Sequence, residues 1–458
     1  MRYFSTRNKK LDFSFKEAFL KGLAPDGGLF IPDKFKKYSS QEIEGLKKLN
    51  YVDLAVEIIS NFCDPDIQKD KLKILVKKSY KNFQVKDVVS LKKFGEINLL
   101  ELYHGPTLAF KDIAMQVIGN IYDLFNISDK KMINIVVATS GDTGSAAISA
   151  LSGKPNINVF VLHPHNKISN IQRKIMTTIG SSNVYNIAIK GSFDDCQKIV
   201  KDMFNQNEFR EKINMSGVNS INWARIICQT VYYFYAAFKF NDKKISFAVP
   251  TGNFGDIYAG YLAKKMGLGI DKLIVATNEN DILQRAINTG EYKPGQVKPS
   301  LSPSMDIQVS SNFERLLFDI VGEDDKRVSL LMNDLSSKGF FKLNKKETEI
   351  IKKDFCAEKI NDKDTLSIIK EIDSKLNFIL DPHTATAVGA AKKINDLSST
   401  VVLGTAHPYK FLETVKMATG KEVQPPIQLS KIVDKGEKYD ILENKASLVK
   451  EYILKKAI

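Results

Sequence analysis

Cysteine is scarce in this 458-residue chain, and Cys63, Cys196, Cys228 and Cys356 lie far apart with no C-x-x-C pair. That spacing excludes a disulfide framework and a thiolate zinc site and predicts buried free thiols. Long apolar runs are missing too. No stretch approaches the roughly eighteen residues of a membrane span, and the opening MRYFSTRNKK carries charge where a signal peptide needs an apolar core. A cytoplasmic protein with no membrane partner is expected. Histidine occurs five times, at His104, His163, His165, His383 and His407. Only His163 and His165 approach ligand spacing, with no acidic or cysteine neighbour, so no metal is expected. Acidic residues are outnumbered, 53 against 67 Lys and Arg, for a net charge of +14. The excess lysines are dispersed among acids, with no dense block or arginine-rich tail. This argues against nucleic acid as a partner and leaves a surface field that would draw in an anionic substrate.

With 43% hydrophobic and 26% charged residues the composition is that of an ordinary globular protein, and the length allows more than one core. Residues 1–90 combine the turn APDGGLF, a short strand at Leu29 to Ile31, and helical three- and four-residue spacing in QEIEGLKKL, YVDLAVEIISNF and DKLKILVKKSYKNF. A mostly helical N-terminal domain is predicted. From about residue 91 to 426, buried strands alternate with helices: NLLELY, INIVVAT, NVFVLHP, NVYNIAIK, KISFAVPTG, KLIVATNE and VVLGT. The fold class expected is α/β, two open, mostly parallel sheets covered by helices, the smaller subdomain spanning about 130–215. Residues 281–312 read as a long ordered loop, 313–375 as a helical insertion, NFILDPHTATAVGAAKKI as strand, loop and helix, and 427–458 as a C-terminal tail.

Chemistry is expected where strands of such sheets give way to helices. HGPTLAFKD breaks at Gly105-Pro106 and runs through an apolar segment into Lys111 at a helix start. Desolvation there would lower the amine's pKa and make it a base and a nucleophile; the alternative is a snorkelling surface lysine. TSGDTGS offers Ser140, Gly141, Asp142 and Thr143 either to a carboxylate or as an ordinary helix cap. TGNFGD, from Gly252 and Asn253 through Phe254 and Gly255 to Asp256, makes a nest of backbone donors suited to a phosphate, without the form of a dinucleotide or triphosphate loop. NSINWARI places Ser220, Asn222 and Arg225 at a helix start, as a second anion site or as a cap with an arginine ion pair. In GTAHPYKF, Thr405 ends a strand and can offer a neutral hydroxyl to a ring nitrogen, and His407 is the alternative metal ligand.

A buried lysine, a phosphate cradle, a carboxylate loop and a hydroxyl for a ring nitrogen together describe a pyridoxal phosphate site. The motifs KGLAPDGGLF, HGPTLAFKD, TSGDTGSAA, SINWARI, TGNFGD, LSPSMDIQVSSNFERL and TAHPYKF resemble those of the longer class of threonine synthases, within the fold type II, tryptophan synthase β-like, pyridoxal phosphate enzymes. The resemblance implies a lyase of threonine biosynthesis that acts on O-phospho-L-homoserine as a monomer or homodimer. It implies that Lys111 binds the cofactor covalently and acts in catalysis. Gly252, Asn253, Phe254, Gly255 and Asp256 would hold the cofactor phosphate, and Thr405 the pyridine nitrogen. Ser140, Gly141, Asp142 and Thr143 would face the amino acid carboxylate and the ring, and Ser220, Asn222 and Arg225 the substrate phosphate. Many relatives across the wider fold family carry Asn where this chain has Asp142, while the SGDTG form is itself common in threonine synthases.

Overall fold

Strands that are apolar on both faces need covering on both faces, and here they form two separate sheets clothed by helices. The computed structural model describes residues 1–129, 131–240, 244–394, 397–430, 432 and 435–457. Among these, the larger sheet runs in the order Phe355–Lys359, Ile270–Thr277, Ile245–Pro250, Thr400–Gly404, Ile97–Glu101, Ser90–Phe94. Its strands are parallel except for the last pair, an antiparallel hairpin. The smaller sheet is parallel throughout, in the order Asp440–Glu443, Val184–Lys190, Ile157–Pro164, Ile133–Ala138, Met215–Ser216. Ile157–Pro164 is buried along its whole length, which explains why apolar residues occupy both of its faces.

The N-terminal region has four helices, Phe15–Lys21, Ser40–Leu46, Tyr51–Cys63 and Lys69–Tyr80, the first two started by capping boxes at Ser14/Glu17 and Ser39/Glu42. It also has an antiparallel sheet of Asn8–Ser14, Arg2–Ser5 and Phe30–Pro32, whose first two strands are hidden in the sequence by their charged residues. Helix Tyr51–Cys63 packs on helix Trp223–Ala237 through the ring pairs Tyr51–Tyr235 at 5.5 Å and Phe62–Trp223 at 6.0 Å. One apolar cluster therefore runs from the N-terminal helices into both sheets.

Several expectations are corrected. The loop expected over 281–312 begins as helix Ile282–Thr289 and pairs Glu291–Tyr292 with Phe341–Lys342 before becoming irregular. The insertion expected to be helical over 313–375 contributes Phe355–Lys359 as an edge strand of the larger sheet, too short and too charged to break a helical reading. No strand forms at Asn377 to Leu380; Phe378 instead stacks on Phe94, with ring centroids 4.1 Å apart. The tail is integral to the smaller sheet, to which Asp440–Glu443 adds an edge strand, while Val449 and Ile453 of helix Ala446–Lys456 bury against its apolar face. Three of the cysteines are buried, but Cys356 on the edge strand is only partly so. No helix among the described residues is long and apolar enough to cross a membrane.

Candidate active site

The carboxyl ends of both large sheets open onto one cavity of about 1230 Å³. Every expected site residue lines it except Gly141 and Asn222. The Asn222 amide is used at both ends: its oxygen accepts from the Ala224 N–H at 3.1 Å, and its nitrogen donates to the Phe19 carbonyl at 3.0 Å. It is a helix cap that ties this helix to the N-terminal region, which corrects its expected part in holding substrate. The Gly141 backbone is used within the loop, its N–H donating to the Thr139 hydroxyl at 2.9 Å and its carbonyl accepting from the Ser145 hydroxyl at 2.7 Å. Its φ of 131° is open to glycine, and a Cβ there would lie 2.7 Å from the Gln172 Cδ.

Lys111 begins helix Lys111–Asp129 and is 9% exposed, its Nζ 4.7 Å from the Phe110 ring centroid. The loop before it is stiffened by Asp112, which accepts from the Thr107 N–H at 2.8 Å and the Thr107 hydroxyl at 2.7 Å. Burial pulls the Lys111 ammonium below its ordinary pKa; Asp142 opposes this, and Arg225 and Lys410 add to it. Asp142 receives Lys111 Nζ at 3.2 Å and the Ser304 hydroxyl at 3.3 Å on Oδ2, and Lys410 Nζ at 2.6 Å and Gln172 Nε2 at 2.9 Å on Oδ1. Burial pushes this carboxyl up, but the two ammonium groups outweigh it and hold Asp142 well below the usual carboxylate range.

Beyond strand Ile245–Pro250, Phe254 adopts the left-handed conformation, φ 61°, its ring held between Phe313 and Phe355 at 5.4 and 5.6 Å. No side chain caps helix Gly255–Lys265, so its first N–H groups face the cavity as a ready anion cradle. Residues 310–312 strap this loop: Ser310 donates to the Gly252 carbonyl at 2.7 Å, Ser311 to the Asn253 side chain at 3.0 Å, and the Asn312 amide to the Asn253 carbonyl at 3.0 Å. Thr405 is fixed by its backbone, its N–H donating to the Thr384 hydroxyl at 3.2 Å and its carbonyl accepting from the Phe110 N–H at 2.9 Å, while its side chain lines the cavity.

Two buried charges here lack full partners. Arg225 is 3% exposed; its Nε has no hydrogen-bond partner among the described residues, and its guanidinium reaches only the Val218 carbonyl, at 3.5 Å. Burial pulls it down to about 10. Asp256 accepts from the Tyr232 and Tyr233 hydroxyls on Oδ1, leaving Oδ2 unpartnered, and burial pushes its carboxyl up to about 6. A carboxyl raised on folding favours the folded state when protonated, so Asp256 costs stability progressively as pH rises from about 4 through about 6. Asp256→Asn in the ligand-free protein should therefore stabilise by about 1–3 kcal/mol more at pH 8 than at pH 4. Thermal unfolding at both pH values checks this; equal gains would show that the carboxylate is not titrating in that window.

Sequence reasoning missed Lys410, Gln172, Ser304 and the Asp381–His383 pair. His383 Nδ1 lies 3.0 Å from Asp381 Oδ1, and the Ser304 N–H donates to His383 Nε2 at 3.3 Å. Lys410 lies inside TAHPYKF, Asp381 and His383 inside DPHTAT, Ser304 inside LSPSMDIQVSSNFERL, and Gln172 in the helical segment ISNIQRKIMTTIG. His407 is a cap, its Nδ1 accepting from the Tyr409 N–H at 3.2 Å.

All of this constellation but Lys410 lies within residues 91–405, which match the family described as pyridoxal-phosphate dependent enzyme, so the two-sheet fold and its cavity are those of that class, with fold type II architecture. Residues 2–80 match the threonine synthase N terminus and 384–453 the threonine synthase C-terminal family. Threonine synthase of Pseudomonas aeruginosa is 42% identical over 99% of this chain and 98% of its own length. That of Saccharomyces cerevisiae is 44% identical, covering 91% of this chain and 88% of its own. A crystal structure of PLP-bound threonine synthase from Brucella melitensis superposes with a TM-score of 0.95 at 43% identity, covering 100% of this chain and 99% of that one. The chain belongs to the threonine synthase family.

Proposed function

We infer that this protein is a threonine synthase, a pyridoxal phosphate-dependent lyase that converts O-phospho-L-homoserine and water to L-threonine and phosphate. The observation that carries the reading is the cavity itself, in which a desolvated lysine faces two separate anion-seeking positions, the uncapped helix start at Gly255 and the unpaired Arg225. The cofactor fits these residues. Backbone N–H groups from Gly252 to Asp256 would hold its phosphate, Lys111 would bind it covalently, and the Thr405 hydroxyl would meet its ring nitrogen. Bound there, it supplies an electron sink for the charge left when a proton is removed beside an amino group.

The rest is the work of the chain's own side chains. Lys111, with its basic form favoured by burial, takes the proton from the substrate's Cα and then one from Cβ. Arg225 and Ser220 hold the phosphate that leaves Cγ with the electrons of its C–O bond. Cα and Cγ each regain a proton, Cβ gains the hydroxyl of water, and the departed phosphate takes up the water's remaining proton, which balances the reaction. Ser140, Thr143 and the start of helix Asp142–Leu151 receive the substrate carboxylate. The protein acts in the cytoplasm, as a monomer or homodimer, on a small molecule and without nucleic acid.

The test is an end-point assay with O-phospho-L-homoserine on the pyridoxal phosphate-loaded protein, quantifying threonine, phosphate and 2-oxobutyrate together. Threonine equal to phosphate is expected. Phosphate accompanied by 2-oxobutyrate would make the protein a phosphohomoserine lyase on the same scaffold.

A further inference from the structure

A second buried lysine stands behind the cavity wall, paired to the same aspartate as the lysine that the reaction uses. Lys410, on the turn Pro408–Phe411, is fully buried, its Nζ 2.6 Å from Asp142 Oδ1 and 3.0 Å from the Thr107 carbonyl. Its own carbonyl accepts from the Ser169 hydroxyl at 3.2 Å, so the turn is also fastened to the smaller subdomain. A cation so enclosed is tolerable only beside an ionised partner, which commits Asp142 to its carboxylate form. Asp142 is thus shared unequally between two ammonium groups, closer to Lys410 at 2.6 Å than to Lys111 at 3.2 Å.

We propose that Lys410 is a positioning residue that sets the basicity of Lys111: by neutralising Asp142 from behind, it keeps that carboxylate from locking the Lys111 nitrogen in its protonated form. Resting on the reading above, this explains how a buried aspartate is accommodated 3.2 Å from the lysine that must lose its proton. The charge has been balanced within the wall. Without Lys410 the undivided charge of Asp142 falls on Lys111 across 3.2 Å of buried space, where Coulombic attraction is large. The other groups facing this pair do not replace it. Arg225, on helix Trp223–Ala237, and Lys410 both disfavour a proton on Lys111. Asp256, on helix Gly255–Lys265, and Lys111 influence one another, and His383, on helix Pro382–Ile394, acts on Asp142.

The holoenzyme tests this through the pH midpoint of the bound cofactor's visible absorbance, which reports the protonation of the Lys111 nitrogen. Lys410→Met should raise that midpoint by about one pH unit or more, with the acid limb of kcat/KM rising in parallel. Lys410→Arg, which restores the charge, should stay within a few tenths of a unit of wild type, and Asp142→Asn should lower the midpoint. The double variant Asp142→Asn with Lys410→Met removes both charges. It should bring the midpoint back to the wild-type value or below, so the idea remains testable if the single Lys410→Met protein does not fold. An unshifted midpoint in folded Lys410→Met, or a double variant that remains raised, overturns the proposal. Wild type that binds no cofactor or forms no threonine would instead overturn the functional reading, so the two failures are distinct.

Discussion

Lys111→Ala is expected to fold, to unfold thermally close to wild type, and to lose threonine formation by about 10⁴-fold or more, because one amine both carries the cofactor and moves two protons. Removing this side chain also relieves a desolvated ammonium of its burial cost and leaves Asp142 still paired to Lys410 at 2.6 Å, so no unpaired charge is created. Phosphate and threonine release, measured beside circular dichroism, separate loss of chemistry from loss of fold. A folded variant that turns over within tenfold of wild type would end the assignment of Lys111. Arginine-like retention of charge without nucleophilicity is not the issue here; the amine must be able to lose its proton.

Arg225→Met should lower kcat/KM for O-phospho-L-homoserine by about 100-fold or more, since truncating a buried charge that holds a ligand's phosphate costs roughly 2–5 kcal/mol. The loss should be far smaller for elimination from an amino acid without phosphate. Stability should move the other way. A guanidinium buried to 3% exposure with its Nε unpartnered is a liability in the ligand-free fold, and a methionine of similar length should raise Tm. Equal losses on both substrates would count against a phosphate role. Weakened retention of pyridoxal phosphate with unchanged KM for the substrate would move Arg225 to the cofactor's phosphate.

How much of this was legible in the sequence depends on what kind of signal each residue gives. Central strands such as Ile133–Ala138 and Ile245–Pro250 announce themselves, because burial on both faces demands apolar residues at successive positions, broken here only by Asn134 and Ser246. The edge strands Phe355–Lys359 and Asp440–Glu443 do not: they are short and bear charges on the side that meets water. Lys111 was visible because a glycine-proline break and an apolar lead-in set it apart. Lys410 carries a charge buried more deeply still, but it is one of 67 basic residues, and its partners Asp142 and Thr107 are far off in the chain. Asn222 shows the converse error. A polar side chain at a helix start serves as a cap or as a ligand with the same local sequence, and only the two partners at 3.0 and 3.1 Å decide between them.

The late strand has a consequence for the order in which the molecule can be made. Four of the five strands of the smaller sheet have been synthesised by Ser216, but the remaining edge strand is not supplied until Asp440. As the chain emerges from the ribosome, the outer edge of Val184–Lys190 and the apolar face that receives Val449 and Ile453 therefore stay open until residues 440–453 have been made. Growing chains of this protein thus expose a pairing-competent strand edge throughout most of their elongation, the surface on which nascent chains associate wrongly and chaperones act.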